Sequence, residues 1–189
     1  DDSVLAIAQD RLREKQFASG TCQIPTVSWV DTNDKEALAK LARECLPGII
    51  KTRQFGYDGK GQVRVSSLKK LESELAAMGS QSCILEKLVP LSYEVSIQAT
   101  SQDGGITVEL SDIPRNTHSK GILVKSEWSH KVLPRAIASK VRTYAKVMAQ
   151  KLGLNGGVVF EFFVTTDGQV LFNEMAPRPH NSLHGTIEG

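Results

Sequence analysis

The spacing of apolar residues changes several times along the chain, and each change marks an element. Leu5, Ala8, Leu12 and Phe17 share one helical stripe, which predicts a helix over about 4–18 that stops at Gly20. Ile24 to Val30 reads as a short strand entered at Pro25. Asn33 or Thr32 can cap a helix from about 34 to 45, with Ala37, Leu38, Leu41 and Ala42 turned inward. Ile49-Ile50-Lys51 and Val63 to Ser66 read as two strands flanking a glycine-rich turn, and Leu68, Leu71 and Leu75 mark a helix over about 67–78. An apolar strand from Cys83 ends at Pro90. Tyr93, Val95, Ile97 and Ala99 then alternate with polar residues, the period of a half-buried strand. Ile106-Thr107-Val108 follows the turn Asp103-Gly104-Gly105 and should fold back as a hairpin. A long helix over about 134–151, with Pro134 at its first turn and Gly153 past its end, precedes two closing strands at about 157–165 and 169–175. Hairpins mixed with helices predict an α+β fold rather than a doubly wound parallel sheet.

Composition narrows the class without naming a function. Hydrophobic residues at 40% and charged residues at 23% suit one sizeable core, or a core with a small lobe. A net charge of +2, with Lys and Arg scattered, gives no basic stripe for nucleic acid. No apolar run reaches the roughly 18–20 residues of a membrane helix. Cys22, Cys45 and Cys83 are odd in number and unpaired in spacing, which points away from disulfides and zinc and towards a reducing, cytoplasmic setting. The chain opens Asp1-Asp2-Ser3 with neither the basic nor the apolar region of a secretory signal. Having no initiator Met, it reads as a piece of a larger protein.

The closing strands carry the strongest chemical signal. Asp167-Gly168 is a preferred two-residue hairpin loop, and counting outward from it sets Glu161 opposite Glu174. Side chains so paired stand roughly 4.5–5.5 Å apart at Cβ, where like charges repel. A hard divalent cation resolves that conflict: Mg²⁺ takes one or two carboxylates and completes its shell with phosphate and water. The alternatives are that one Glu is protonated or faces solvent, or that a longer turn slips the register.

Gly56-Tyr57-Asp58-Gly59-Lys60-Gly61-Gln62 is a second signal. Its glycines let backbone amides approach an anion, and Lys60 adds a point charge, although a plain hairpin tip has similar composition. Lys51 on the preceding strand places a second cation at the base of that loop. The strand end Glu86-Lys87-Leu88-Val89, just before Pro90, can offer backbone groups to a heterocycle, with Glu94 close behind for a ribose. An ordinary strand connection reads the same way. His118 reads as a loop histidine. Finally, Asn173-Glu174-Met175-Ala176-Pro177-Arg178-Pro179-His180-Asn181-Ser182 offers a carboxylate, a guanidinium, an imidazole, amides and a hydroxyl. Its two prolines rule out an interior strand or a helix.

In this order, Asp10-Arg11-Leu12 with Glu14-Lys15, Lys51 with Gly56 to Gln62, Glu86 to Val89 with Glu94, Asn116 with His118, and Asn173 to His184 resemble the ATP-grasp superfamily. Within it they are similar to the 5-(carboxyamino)imidazole ribonucleotide synthase family. The resemblance implies a small mobile antiparallel α+β lobe over a larger antiparallel sheet. Residues 1–25 would be a helix and linker, 26–88 the lid subdomain and 89–189 the large subdomain. It implies ATP held by Arg11, Lys51, Gly56, Tyr57, Asp58, Gly59, Lys60, Gly61, Gln62, Glu86, Lys87, Leu88, Val89, Glu94 and His118. Glu161 and Glu174 would hold Mg²⁺, for which Mn²⁺ could stand in, with Asn173 beside them. Arg178, His180, Asn181 and Ser182 would face bicarbonate, carboxyphosphate or 5-aminoimidazole ribonucleotide. The implied activity is an ATP-dependent carboxylating ligase of purine biosynthesis, and the family's habit of dimerising makes a second copy a further implied partner.

The chain departs from the family pattern at Leu183, where the family usually has Gly, and a Leu there would crowd the substrate or change the turn. The family's preceding nucleotide-fold domain and following β-rich domain also lie outside this sequence. Three other readings stay open: an ATP-binding module without activity of its own, a different ATP-grasp ligase working through an acylphosphate, and a scaffold with a decayed site that binds no nucleotide.

Overall fold

A computed structural model describes residues 2–54, 56, 61–119, 122–128 and 133–178. Two antiparallel sheets organise it. Strands β1 (Trp29–Asp31), β2 (Gly48–Thr52), β3 (Gln62–Val65) and β4 (Cys83–Lys87) form a four-stranded sheet in the order β1-β4-β2-β3. Strands β5 (Leu91–Ser101), β7 (Arg115–Ser119), β8 (Ile122–Glu127), β9 (Gly156–Thr165) and β10 (Val170–Ala176) run in the order β10-β9-β5-β7-β8, and the short β6 (Glu109–Leu110) pairs with β5. The fold is α+β, as the pattern predicts.

Each sheet has its own core because alternate strand positions are apolar. Val30, Ile50, Val65 and Leu85 pack with Leu71 of helix α4 (Leu68–Met78) in the small sheet. In the large sheet Val95, Ile97, Phe160, Phe162 and Phe172 pack beneath helix α5 (Arg135–Lys151), with Phe162 and Phe172 edge to face at 5.9 Å. Among the described residues no helix is long and apolar enough to cross a membrane.

Several sequence expectations shift. The helix expected over 4–18 breaks into α1 (Asp2–Ala8) and α2 (Arg11–Gln16), followed by a π-helical turn over Phe17–Thr21. Asp10 causes the break: its extended backbone lets its carboxylate cap the Leu12 amide at 2.9 Å, while it also binds Arg53. These helices pack on the large-sheet core through Val4, Phe17 and Ala18, so the first segment is part of the fold. The strand expected at Ile24–Val30 pairs only from Trp29, because its first half crosses beside β10 and Pro25 O accepts the Phe172 amide at 2.8 Å. The next helix, α3 (Lys35–Leu41), is shorter than expected and is capped by Asp34 rather than Asn33 or Thr32. None of its own residues is fully buried, but Ala37 and Leu38 pack half-buried against the small-sheet core and Ala42, one position past the end, is buried; of the four expected inside only Leu41 is exposed.

Ile106-Thr107-Val108 does not pair. Asp103 takes the Thr107 amide at 2.8 Å, which holds the loop open until Glu109 and leaves Ile106 80% exposed. The reverse error occurs at 115–119: His118 sits on strand β7, not in a loop. The β9–β10 loop has three residues, with Thr165 facing Gln169, its amide donating to Gln169 O at 3.0 Å, and Gly168 at φ +79°. Strand pairs therefore start one step off the expected register, as Val170–Val164, Leu171–Phe163 and Phe172–Phe162. A β-bulge after Phe172 then inserts Asn173, and Glu174 faces Glu161 after all.

Candidate functional site

A cleft of about 890 Å³ opens between the two sheets. Lys51 and Gln62 enter it from β2 and β3, and Glu86, Lys87, Leu88 and Val89 from the end of β4. The large sheet contributes Glu94, Asn116, His118, Glu161, Asn173 and Glu174. One face of that sheet is responsible. On β5 the residues between the core positions are Glu94, which lines the cleft, and Ser96, which lies buried opposite Glu161 on β9. Asn116 crosses from β7, donating to Ser96 Oγ at 3.0 Å and accepting from Ser126 Oγ at 2.9 Å.

The cleft wall is a buried ionic network. Glu86, 1% exposed, lies 2.7 Å from Lys51 Nζ and 3.2 Å from Lys15 Nζ. Burial pushes its carboxyl up, but the two ammonium groups outweigh that and hold it at about 2. Burial lowers the Lys15 pKa, against the attraction of Glu86. Arg11 Nη1 lies 2.5 Å from Glu174 Oε2, and although partial burial alone would raise the Glu174 carboxyl, this pair holds it below the ordinary carboxylate range. Beside them burial and the Glu174 charge push Glu14 up to about 8, and its Oε1 accepts the Met175 amide at 2.8 Å. His118 Nδ1 lies 3.2 Å from Glu94 Oε1, and that contact raises the imidazole pKa against its burial.

Glu161 and Glu174 are cross-strand partners on the cleft side, and the Asn173 side-chain oxygen is buried with no hydrogen-bond partner among the described residues. Two carboxylates and an amide oxygen make a hard-oxygen donor set that fits Mg²⁺. Among the described residues no group of three or more His, Cys, Asp or Glu side chains is placed to hold a metal ion, so the remaining ligands of such an ion would come from phosphate and water.

Other expected site residues lie at the margin or beyond it. Arg11 reaches the cleft through Glu174. Gly56 is half-buried, and Gly61, at φ +71°, has no room for a side chain because a Cβ would lie 2.5 Å from Thr52 Oγ1. Arg178 is exposed just past β10. Tyr57, Asp58, Gly59, Lys60, His180, Asn181, Ser182 and Leu183 lie outside the described residues. The residue reading missed the site's support: Glu14, Lys15 and Ser96 are buried at 2%, 1% and 0% exposure. Charged residues one turn from Arg11 on a helix with an apolar stripe were the available signal for the first two.

A model of the ATP-grasp domain matches residues 18–189. The N5-carboxyaminoimidazole ribonucleotide synthase of Brucella melitensis is 40% identical over 97% of this chain and 51% of that protein. The N5-carboxyaminoimidazole ribonucleotide synthetase structure from Thermus thermophilus is 36% identical, with a TM-score of 0.86 over 100% of this chain and 50% of that one. The Staphylococcus aureus N5-carboxyaminoimidazole synthetase complexed with ADP is 30% identical, with a TM-score of 0.86 over 98% of this chain and 49% of that one. The chain thus spans about half the length of the curated relatives it matches. With the model match covering most of its length, the chain belongs to the ATP-grasp family.

Proposed function

We propose that this chain is the nucleotide-binding core of an ATP-dependent carboxylating ligase of purine biosynthesis. The reaction is ATP + bicarbonate + 5-aminoimidazole ribonucleotide → 5-(carboxyamino)imidazole ribonucleotide + ADP + phosphate, through carboxyphosphate. The observation that carries the reading is the cleft itself: facing Glu161 and Glu174 on one wall, and Lys51 with the Glu86–Val89 strand end on the other. The relatives' names supply the substrate class, and the Staphylococcus aureus protein is seen with ADP. Three buried free thiols suit a reducing compartment such as the cytoplasm.

In this reading residues 26–88 act as the lid and 89–189 as the platform. Lys51, the segment Gly56 to Gln62 and Arg11 neutralise phosphate charge, Glu86 to Val89 take the base, and Glu94 with His118 takes the ribose. Glu161, Glu174 and Asn173 would hold Mg²⁺, which when bound neutralises charge on the transferring phosphoryl group. Glu86 is the organising residue, since its charge is fixed by two lysines and it keeps Lys51 extended into the cleft. Arg178, His180, Asn181 and Ser182 are assigned to bicarbonate, carboxyphosphate and the ribonucleotide, and Arg178 has the fork geometry such oxygens favour. Closure of the lid would exclude water, so that the substrate amine rather than hydroxide captures the activated carbon.

The test is ADP release by the purified chain with ATP and Mg²⁺, adding bicarbonate and 5-aminoimidazole ribonucleotide singly and together. Release that requires both acceptors is expected. Because the chain spans half of its relatives, a second reading is an ATP-binding module that needs further domains for turnover. Tight nucleotide binding without release under any acceptor combination would favour that one.

A further inference from the structure

Helix α2 has six residues, yet three of its side chains meet consecutive positions of β10. Lys15 Nζ donates to Asn173 O at 2.8 Å and reaches Phe172 O at 3.4 Å; Arg11 pairs with the Glu174 carboxylate at 2.5 Å; Glu14 accepts the Met175 amide at 2.8 Å. Positions 11, 14 and 15 share one helix face, so a single turn serves all three contacts.

These contacts surround the bulge between Phe172 and Glu174. β10 is an edge strand, and a bulge there leaves backbone groups that no neighbouring strand can take. Buried groups of that kind must find partners. Pro25 takes the Phe172 amide, and Lys15 and Glu14 take the groups that follow. The bulge also decides the chemistry. In the register set by Phe172 and Phe162, Asn173 would face Glu161 and Glu174 would turn to the opposite side of the sheet.

We propose that Glu14 and Lys15 are positioning residues for the cation site: they hold the Asn173 bulge from the outer edge of β10 and so keep Glu174 opposite Glu161. Lys15 extends the same support to the nucleotide wall, since it shares Glu86 with Lys51. The inference rests on reading the cleft as a nucleotide–Mg²⁺ site.

The test measures ADP affinity of the full chain by calorimetry across a MgCl₂ titration and in EDTA, for Glu14→Leu, Lys15→Met and Glu14→Gln. Glu14→Leu and Lys15→Met should raise the Mg²⁺ concentration for half-maximal effect by about tenfold or more, the usual scale for support lost around a metal ligand. In EDTA the affinity of Glu14→Leu should stay unchanged, whereas Lys15→Met, which also supports Glu86 and Lys51, should lose less than it does with Mg²⁺. Glu14→Gln keeps an acceptor oxygen and should behave as the unsubstituted chain. An unaltered Mg²⁺ requirement in Glu14→Leu overturns the proposal, as does a shift in Glu14→Gln as large as in Glu14→Leu. Equal losses with and without Mg²⁺ in Lys15→Met reduce that residue to a structural role. If the larger substitutions do not fold, hydrogen exchange at the Met175 amide of the unsubstituted chain decides, and exchange as fast as an unprotected edge overturns the clamp. An unsubstituted chain whose ADP affinity ignores Mg²⁺ instead overturns the site reading beneath it.

Discussion

The two faces of strands β5 and β9 are both buried, but they are built for different purposes. Under α5, Val95, Ile97, Phe160 and Phe162 are inaccessible and purely apolar. On the other face Ser96 and Glu161 are nearly as inaccessible, at 0% and 4% exposure, yet they carry polar atoms. The first face is satisfied by packing alone. The second assembles carboxylates, an amide and cations around an open cleft. Burial by itself therefore does not separate core from site; the chemistry of the buried atoms does.

Phe160→Ala tests that contrast with the largest effect. Removing a fully buried ring from the apolar face should lower unfolding stability by about 3–5 kcal/mol. A denaturant titration measures it, and ADP affinity of the folded fraction should hold. A loss below about 1 kcal/mol would mean that this face is not a close-packed core.

Glu174→Gln strikes the other face. It removes a charge that Arg11 neutralises at 2.5 Å on a side chain 33% exposed, so stability should move much less than for Phe160→Ala. The Mg²⁺ requirement for ADP binding should rise on the order of 10–100-fold, about 1.4–2.8 kcal/mol. An unchanged requirement in a Mg²⁺ titration would remove Glu174 from the cation site.

The two faces also differ in how far the sequence revealed them. The apolar face was readable because period-2 alternation over Tyr93–Ala99 and the Phe160–Val164 run depend on local spacing alone. The facing of Glu161 and Glu174 was inferred through a two-residue loop, yet it arises from a three-residue loop and a compensating bulge at Asn173. A bulge has no local sequence signature here; it depends on α2, far away in the chain, supplying Lys15 and Glu14. Strands β7 and β8 were missed for a related reason. Arg115-Asn116-Thr117-His118 is polar because all four residues line the cleft, and the signal lay in Ile122-Leu123-Val124 after Gly121. The cap at Asp34 was one residue past Asn33 and two past Thr32, within the range where several polar residues compete.

His118 gives the smallest and most specific test of the polar face. The imidazole faces Glu94, with Glu161 and Glu174 beyond, and the Glu94 contact raises its pKa. A group whose folded pKa exceeds its unfolded value, roughly 6.5 for His, stabilises the fold fully below that value and loses the contribution as pH rises through the raised one. In EDTA, unfolding stability should therefore fall as pH rises from about 6 towards 8, by an amount on the order of 0.5–1 kcal/mol for a single partly exposed pair. Glu14, raised by burial and the Glu174 charge, also loses stability as it ionises over this range, so His118→Gln should make that segment shallower without flattening it. Matching slopes in the two proteins between those pH values would mean that Glu94 does not hold a charged His118, and that the two residues enter the cleft as independent hydrogen-bonding groups rather than as an ion pair.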